Sequence, residues 1–200
     1  AEEGLIEAVA FAEPGEAPES FEKLAAQGAR RYLDYVDMMD EAGLDLVTIA
    51  TPIPCHFPMA KAAFQRGLHV YLEKPPVVRI QDFRALVDLQ EANDCYCAVG
   101  FQDIARLCVA KLKRRLCEGA IGKVKAVRGE ARWLRTAAYY ERGPWSGKAR
   151  LGDDYVLDGP MNNSCAHMLN LCAYLAGPDV HEFAVPLRVQ GELYRSAQHE

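Results

Sequence analysis

The stretch His69-Val70-Tyr71-Leu72-Glu73-Lys74-Pro75 decides the fold, because a short apolar strand ends in a charged pair and then in proline. The carboxyl ends of strands are where open parallel sheets bind their ligands. A lysine at such a place can act as a point charge, a hydrogen-bond donor or, when desolvated, a proton-transfer group. Taken alone, Glu73 and Lys74 are an ordinary ion pair that closes an edge strand. The rest of the chain turns them into candidates for a site.

Short apolar runs alternate with helical patterns throughout the first half of the chain. Predicted strands cover residues 8–12, 46–51, 69–72 and 95–101, and predicted helices between them cover residues 20–27, 58–66 and 80–91. Such strands are apolar on both faces, as expected when helices cover both sides of a parallel sheet. The pattern predicts an α/β, Rossmann-like parallel sheet domain in residues 1–101.

The second half of the chain follows a different pattern. After a helix predicted over residues 104–117, Val127, Ala131 and Trp133 alternate with charged residues, and in residues 183–189 every second side chain is a large apolar one. Alternation of this kind is typical of antiparallel strands with one buried face. We therefore expect residues 102–200 to form an α+β domain with an open, mainly antiparallel sheet, and residues 141–154 to form a loop.

The composition limits the class of protein. Half of the 200 residues are hydrophobic, about a quarter are charged, and the net charge is -5 with a pI near 5.6. An acidic chain does not provide a nucleic-acid surface, and the basic run at residues 111–115 is interpreted as a solvated helix face. We find no apolar stretch near the roughly 20 residues that a membrane span requires and no leader-like segment. We expect a cytoplasmic protein without nucleic-acid or membrane partners.

The seven cysteines lie in apolar strands and helices, which is typical of reduced, buried thiols. The pair Cys95 and Cys97 has no second Cys or His pair at zinc spacing. We therefore predict no metal site.

Two strand ends carry groups that suit a dinucleotide. Glu13 ends the first predicted strand, where an acid can bind ribose hydroxyls and disfavour a 2'-phosphate, or can simply begin a turn. The loop after residue 50 contains Thr51, Pro52 and a second proline, which makes it a stiff platform beside a flat ligand. His56 ends this loop and either contacts a ligand or is hydrogen-bonded at the entrance of a helix.

A polar stripe follows the segment Asp158-Gly159-Pro160. On a helix starting near residue 162, Asn163, His167, Asn170 and Tyr174 share one face of an otherwise apolar helix. Each buried polar group without a partner costs about 1 to 3 kcal/mol. The stripe is therefore better explained by a polar cleft than by an apolar core.

Several motifs occur in an order that resembles a known family. They are the Thr-Pro loop that ends in His56, the run Gly67 to Pro75, the sequence Val99-Gly100-Phe101-Gln102 and the turn Gly119-Ala120-Ile121-Gly122-Lys123-Val124. In this order and spacing they resemble the Gfo/Idh/MocA oxidoreductases, named after glucose-fructose oxidoreductase and inositol dehydrogenase. The resemblance covers nearly the whole chain.

The resemblance implies an NAD(P)-dependent dehydrogenase or reductase of a sugar, cyclitol or related polyol, with NAD favoured and NADP the alternative. It implies a homo-oligomer, a dimer or tetramer, built through the open sheet. The implied catalytic residues are Lys74 as polariser and His167 as acid/base. The residues expected at the substrate are Asn163, Asn170, Tyr140 and Trp145, and those expected at the cofactor are Glu13, Thr51, Pro52, His56, Glu73, Lys74 and Gln102.

Three departures from the family pattern leave alternatives open. Asn163 stands where the family has an aspartate, and Ile53 stands where it has an asparagine. These 200 residues also lack a Gly-x-Gly-x-x-Gly turn, so we expect them to be part of a longer chain. One alternative is NAD-assisted elimination or glycoside cleavage, and another is a catalytically silent sugar-binding or regulatory protein.

Overall fold

A computed structural model describes residues 5–16, 18–192 and 194. The chain divides into two compact units. The first unit contains Ala1–Phe101 and Trp133–Ala166, and the second contains Gln102–Arg132 and His167–Glu200. The first unit thus includes a segment from the predicted second domain, and the domain boundary after residue 101 stays a prediction.

Parallel strands form the centre of the first unit. Strands β1 (Ala10–Ala12) and β2 (Arg30–Tyr32) pair in parallel, and so do β3 (Leu46–Ile49), β4 (His69–Leu72) and β5 (Cys97–Val99), with β4 in the middle. The predicted parallel sheet is confirmed. Strand β2 escaped prediction because Arg30 and Arg31 are exposed and polar, and only Tyr32 is buried.

Helices connect these strands as a crossover topology requires. They are α1 (Glu19–Ala26), α2 (Tyr35–Glu41), α3 (His56–Phe64) and α4 (Ile80–Ala92). Pro58 suits the first turn of α3, and Gly67 follows its end with φ of 71°, a conformation that favours glycine. The other helices match the predictions except α2, a short helix whose N-cap Asp34 accepts a hydrogen bond from the amide of Val36.

The core of the first unit lies between α3 and the central strands. Ala60, Ala63 and Phe64 of α3 are fully buried, as are Val70 and Leu72 of β4. The small side chains of Ala60 and Ala63 allow α3 to approach the sheet closely. Phe64 fills the space that remains between the helix and the sheet. Burial of a side chain of this size contributes about 1.5 to 3 kcal/mol. This packing fixes the position of the β4 C-terminal end.

The segment from Trp133 to Ala166 adds short elements to the first unit. Helix α6 (Ala137–Tyr140) precedes an antiparallel pair of β6 (Arg150–Leu151) and β7 (Asp154–Tyr155), and α7 (Ser164–Ala176) begins at its end. The predicted loop at residues 141–154 therefore contains a small hairpin, in which Gly152 has φ of 60°.

The second unit contains α5 (Leu107–Cys117) and most of α7. Lys113 of α5 is fully buried, and its Nζ donates hydrogen bonds to the carbonyls of Tyr174 (2.7 Å), Gly177 (2.7 Å) and Glu182 (3.3 Å). The interpretation of residues 111–115 as a solvated face is thus wrong for Lys113. Its ammonium satisfies carbonyls at the C-terminal end of α7, where a positive charge is also favoured by the helix dipole.

The two alternating segments do not form strands. Residues 123–136 and 188–192 have no regular secondary structure, and the segment around Phe183 has none either. A strand requires a hydrogen-bonded neighbour, and neither segment pairs with a strand in the part of the chain that the structure describes. Val185, Leu187 and Val189 remain exposed. The antiparallel pairing observed is the β6–β7 hairpin of the first unit.

No helix among the described residues is both long and apolar enough to cross a membrane.

Candidate active site

The C-terminal end of β4 presents Glu73 and Lys74. The backbone amide of Glu73 continues the ladder by donating to the carbonyl of Ile49 (2.9 Å), and the amide of Lys74 donates to Glu73 Oε2 (3.1 Å). Gly100, at the end of β5, leaves room for this carboxylate, because a Cβ there would lie 2.9 Å from Glu73 Oε1. The side chain of Glu73 is thus held against the neighbouring strand end.

Lys74 contacts a residue 89 positions away in the sequence. Its Nζ donates to the side-chain Oδ1 of Asn163 at 3.0 Å and to the backbone carbonyl of Asn163 at 3.2 Å. Asn163 lies in the turn that immediately precedes α7. Two residues predicted separately as parts of one site therefore meet.

The amide group of Asn163 is bonded at both its nitrogen and its oxygen. Its Nδ2 donates to the hydroxyl of Tyr139 (3.0 Å) and to Asp158 Oδ1 (2.7 Å), while Oδ1 accepts from Lys74. The reverse orientation of the amide would place its oxygen against a carboxylate and its NH₂ group against an ammonium. Asp158 therefore fixes Asn163 as an acceptor for Lys74.

Asp158 is a site residue that the sequence reasoning missed. Its side chain is 2% exposed, and Oδ2 accepts hydrogen bonds from Arg142 Nη2 (3.1 Å) and the amide of Gly147 (2.8 Å). An aspartate before Gly-Pro resembles an ordinary turn residue in a sequence. The signal that could have identified it is its position five residues before Asn163, within the same polar segment.

Aromatic rings enclose Arg142. Its guanidinium carbon lies 3.9 Å from the ring centre of Tyr139 and 4.6 Å from that of Trp145. Tyr140 meets Tyr139 edge to face, with ring centres 5.3 Å apart. Stacked and ion-paired, Arg142 contributes to the wall of the site in a fixed position.

A cavity of about 290 Å³, which we call the Lys74 cavity, opens at these groups. The loop after β3, the end of β4 and residues 135–145, which we call the aromatic segment, contribute to its lining. Its residues are Ala50, Thr51, Pro52, Ile53, His56, Glu73, Lys74, Pro75, Arg142, Trp145 and Asn163. Thr51, Pro52, His56, Glu73, Lys74, Trp145 and Asn163 are residues predicted for the site, whereas Ile53 is the apolar departure from the family pattern.

His56 is 1% exposed and joins two loops of the Lys74 cavity. Nδ1 lies 2.9 Å from the carbonyl oxygen of Pro75, and Nε2 lies 2.9 Å from that of Thr51. A neutral imidazole donates to one of these carbonyls at a time, and an imidazolium donates to both. These bonds match the predicted position at a helix entrance, and they leave ring carbons for any contact with a ligand.

A second cavity, the Arg135 cavity, has a volume of about 340 Å³. It shares Asn163 with the Lys74 cavity. Its lining residues are Trp133, Arg135, Tyr139, Tyr140, Asp158, Gly159, Pro160, Asn163 and Ser164. Arg135 donates from Nη2 to the hydroxyl of Ser164 (2.7 Å) and from Nη1 to the carbonyl of Leu134 (3.2 Å).

Glu13 lies outside both cavities, next to the end of β1. Its Oε1 accepts a hydrogen bond from the amide of Gly15 (3.0 Å), and its own amide donates to the carbonyl of Tyr32 (3.0 Å). The guanidinium of Arg31 also donates to the backbone carbonyls of Glu13 and Gly15. The carboxylate of Glu13 therefore stabilises a turn, and the binding of ribose hydroxyls by Glu13 stays a prediction.

The remaining predicted residues belong to the second unit. His167 is half-buried in the first turn of α7, with Nδ1 4.0 Å from Asp103 Oδ2, so an imidazolium there would have a counter-ion. The buried Oδ1 of Asn170 has no hydrogen-bond partner among the described residues. Gln102 is exposed at the start of a short 3₁₀ turn. Their roles stay predictions.

Comparisons with known proteins identify the family. Residues 2–101 match the model of the Gfo/Idh/MocA oxidoreductase family, which has an NAD-binding Rossmann fold. A levoglucosan dehydrogenase from Pseudarthrobacter phenanthrenivorans is 28% identical over 161 residues, which cover 78% of this chain and 40% of that protein. A glycosyl hydrolase family 109 protein from Streptomyces filamentosus is 31% identical over 120 residues, 56% of this chain and 24% of that protein.

A solved structure supports the same assignment. The WlbA dehydrogenase from Bordetella pertussis, in complex with NADH and UDP-GlcNAcA, superimposes with a TM-score of 0.73 at 26% identity, covering 84% of this chain and 47% of that one. The chain thus spans less than half the length of these relatives. The resemblance seen in the motifs is confirmed, and the chain belongs to the Gfo/Idh/MocA oxidoreductase family.

Proposed function

We propose that the whole protein transfers a hydride between a nicotinamide and a secondary hydroxyl or carbonyl carbon of a sugar, cyclitol or related polyol. One observation carries the proposal. The ammonium of Lys74, at the end of a Rossmann strand, is held by the side chain of Asn163 in a cavity of about 290 Å³. A fixed cation beside open space suits the polarisation of a hydroxyl oxygen.

Oxidation of a secondary alcohol removes a hydride from carbon and a proton from oxygen. Bound NAD would supply the hydride acceptor. Lys74 would donate a hydrogen bond to the reacting oxygen, which stabilises negative charge there as the proton leaves. His167 would accept the proton, since histidine titrates in the range that such a transfer requires. Asn163 would anchor Lys74 and the substrate through its carbonyl groups.

The residues of the chain fit a dinucleotide at three strand ends. Glu13 offers a carboxylate to ribose hydroxyls, and its charge favours NAD over NADP. Thr51 and Pro52 form a stiff wall of the Lys74 cavity, and the small Gly100 leaves space beside Glu73. His56 and Gln102 complete the proposed cofactor contacts.

The similar proteins suggest a class of substrate. We propose a sugar or polyol substrate, contacted by Asn163, Asn170, Tyr140 and Trp145. We also propose that the protein is a cytoplasmic homo-oligomer, as the family resemblance implies.

The test compares Lys74→Ala and His167→Ala with the wild type in the complete protein. Both variants are expected to lose turnover by about 10²- to 10⁴-fold, the contribution that positioned acid–base groups make. Lys23→Ala is a matched control. Lys23 is an exposed lysine that forms an ion pair with Glu19, and it lies far from Lys74 in the sequence. Near-normal turnover in both site variants would refute the proposal.

A second candidate function is NAD-assisted elimination or glycoside cleavage. The similarity to a glycosyl hydrolase family 109 protein favours it. In this case the hydride returns to the product, so no NADH accumulates. Cleavage of a glycoside without net formation of NADH would establish this reaction in place of the first.

A further inference from the structure

We propose that the Arg135 cavity binds the carboxylate of an acidic sugar, so that the substrate is a sugar acid rather than a neutral sugar. The proposal rests on the proposed function, because it names the substrate class of the same site. It concerns the carboxylate of the substrate, which takes no part in the hydride transfer.

The two arginines of the aromatic segment differ in their charge partners. Arg142 forms an ion pair with the buried carboxylate of Asp158, at 3.1 Å. Arg135 makes no ion pair in the described part of the chain, where its bonds go to a hydroxyl and a backbone carbonyl. A guanidinium has five N–H groups, so Arg135 keeps donors for a ligand. A carboxylate is the group that its planar fork fits best.

The acid that lines the Arg135 cavity does not neutralise Arg135. Asp158 is 2% exposed, and its oxygens accept hydrogen bonds from Arg142, Asn163 and the amide of Gly147. Its charge and its acceptor positions are therefore committed to those groups. The guanidinium of Arg135 lines the cavity with its carbon 4.4 Å from the ring centre of Tyr139, and it has no carboxylate partner in the part of the chain that the structure describes.

The start of α7 adds to this positive field. Ser164, which accepts the hydrogen bond from Arg135, is the first residue of a 13-residue helix. The N-terminus of a helix favours an anion by about 0.3 to 1 kcal/mol. A single guanidinium beside this helix end matches the single charge of a carboxylate.

The walls of the cavity suit the carbon skeleton of a sugar. Trp133 and Tyr140 line the cavity and are 47% and 44% exposed, so part of each side chain is open to a ligand. Aromatic rings stack on the C–H side of a pyranose. Because Asn163 lines both cavities, a sugar whose carboxylate binds Arg135 can extend its hydroxyl groups toward Lys74.

The test is a binding titration of the complete protein with D-glucuronate, D-glucose and D-glucose 6-phosphate. In the wild type, glucuronate is expected to bind about tenfold or more tightly than glucose, as one charge-assisted hydrogen bond predicts. Arg135→Gln should abolish this preference without changing the affinity for glucose. Arg135→Lys should retain part of it, because the charge remains while the planar fork is lost.

The control is Arg132→Gln, which removes one positive charge three residues away. The side chain of Arg132 is 89% exposed and pairs with Glu130, so this variant should keep the full preference for glucuronate. Equal binding of glucose and glucuronate by the wild type, or an unchanged preference in a folded Arg135→Gln protein, overturns the proposal. Tighter binding of the phosphate than of glucuronate overturns the assignment of a carboxylate.

Binding separates this proposal from the proposed function. If glucuronate binds through Arg135 but no NADH forms, the sugar-acid site stands and the dehydrogenase proposal fails. If neutral polyols are oxidised and glucuronate has no advantage, the dehydrogenase proposal stands and the sugar-acid site fails.

Discussion

The Lys74 cavity and the Arg135 cavity share Asn163 but are built in different ways. Around Lys74, the polar groups come from a strand end, the start of α3 and the turn after α6, and they are bonded within the protein: Lys74 to Asn163, His56 to carbonyl oxygens, and Arg142 to Asp158. Around Arg135, the groups come from a short helix and irregular segments, and the guanidinium has donors left over. This difference supports the proposals that the first cavity carries the chemistry and that the second recognises the substrate.

The largest effects should separate these two roles kinetically. Lys74→Ala should lower kcat by about 10²- to 10⁴-fold with a small change in KM, because it removes an interaction with the reacting oxygen. Arg135→Gln should raise KM for a sugar acid and change kcat little, because a carboxylate at Arg135 is bound equally in the ground and transition states. Steady-state kinetics of both variants measure this. If Arg135→Gln changed only kcat, the distinction between the cavities would fail.

The next effect should come from Asp158, which connects the two cavities. Asp158→Asn leaves Arg142 without a carboxylate and replaces an acceptor of the Asn163 amide with a group that can also donate. The free energy of unfolding is expected to fall by about 2 to 3 kcal/mol, less than for a fully buried pair because Arg142 is 31% exposed. Chemical denaturation measures the loss. Glu130→Gln, at an exposed ion pair, is the control and should change stability by less than about 1 kcal/mol.

Two glycines allow each cavity to be perturbed by one methyl group. At Gly147, φ is 68° and a Cβ would lie 2.6 Å from a ring carbon of Tyr140, so Gly147→Ala should lower stability by about 1 to 2 kcal/mol and weaken sugar binding. At Gly100, the three atoms nearest to an added Cβ all belong to the carboxylate of Glu73, the first at 2.9 Å. Gly100→Ala should therefore displace that carboxylate and lower kcat a few-fold at nearly unchanged stability. Gly191→Ala, where nothing lies within 4 Å, is the control for both.

The smallest effect concerns thiol reactivity near the Lys74 cavity. Burial raises the pKa of the Cys55 thiol, and the negative charge of Asp154 raises it further. Burial, with the charge of Asp94 as the second cause, also raises the pKa of Cys95. A raised pKa means less thiolate near pH 8, so both thiols should react with iodoacetamide more slowly in the native protein than after unfolding. Mass spectrometry of labelled peptides measures the rates. Equal rates before and after unfolding at Cys55 would show that this loop is not held as described.

The sequence predicted the central strands and the residues at their ends for a physical reason. Buried parallel strands must be apolar, so the run that ends at Lys74 is visible by composition alone. Asp158 could not be predicted from apolar patterning, because its role depends on bonds to Arg142, Gly147 and Asn163, and its local signal was only its position in the polar segment before Asn163. Lys113 was misinterpreted for the same reason, since its carbonyl partners lie 61 to 69 residues away.

In the second unit, the alternation of apolar and polar side chains did not predict the secondary structure correctly. Residues 183–189 have the side-chain pattern of a strand, yet a strand exists only when a neighbour accepts and donates its backbone hydrogen bonds. The alternation shows which side chains are apolar and favour burial. Whether the segment forms a strand depends on a second strand that can pair with it. The helices α5 and α7 were predictable because a helix satisfies its backbone within its own sequence.

The imidazole of His56 has a mechanical consequence for the cavity that it borders. One rigid ring spans the carbonyl oxygens of Thr51 and Pro75, at 2.9 Å on each side. An imidazolium would donate to both oxygens and so link the ends of two neighbouring strands, in addition to the ladder of β3 and β4. With both bonds in place, a displacement of the Thr-Pro loop by a ligand would act on the carbonyl group of Pro75, the residue that follows Lys74. A shift of the loop at one strand end would then be felt by the backbone next to Lys74 at the other.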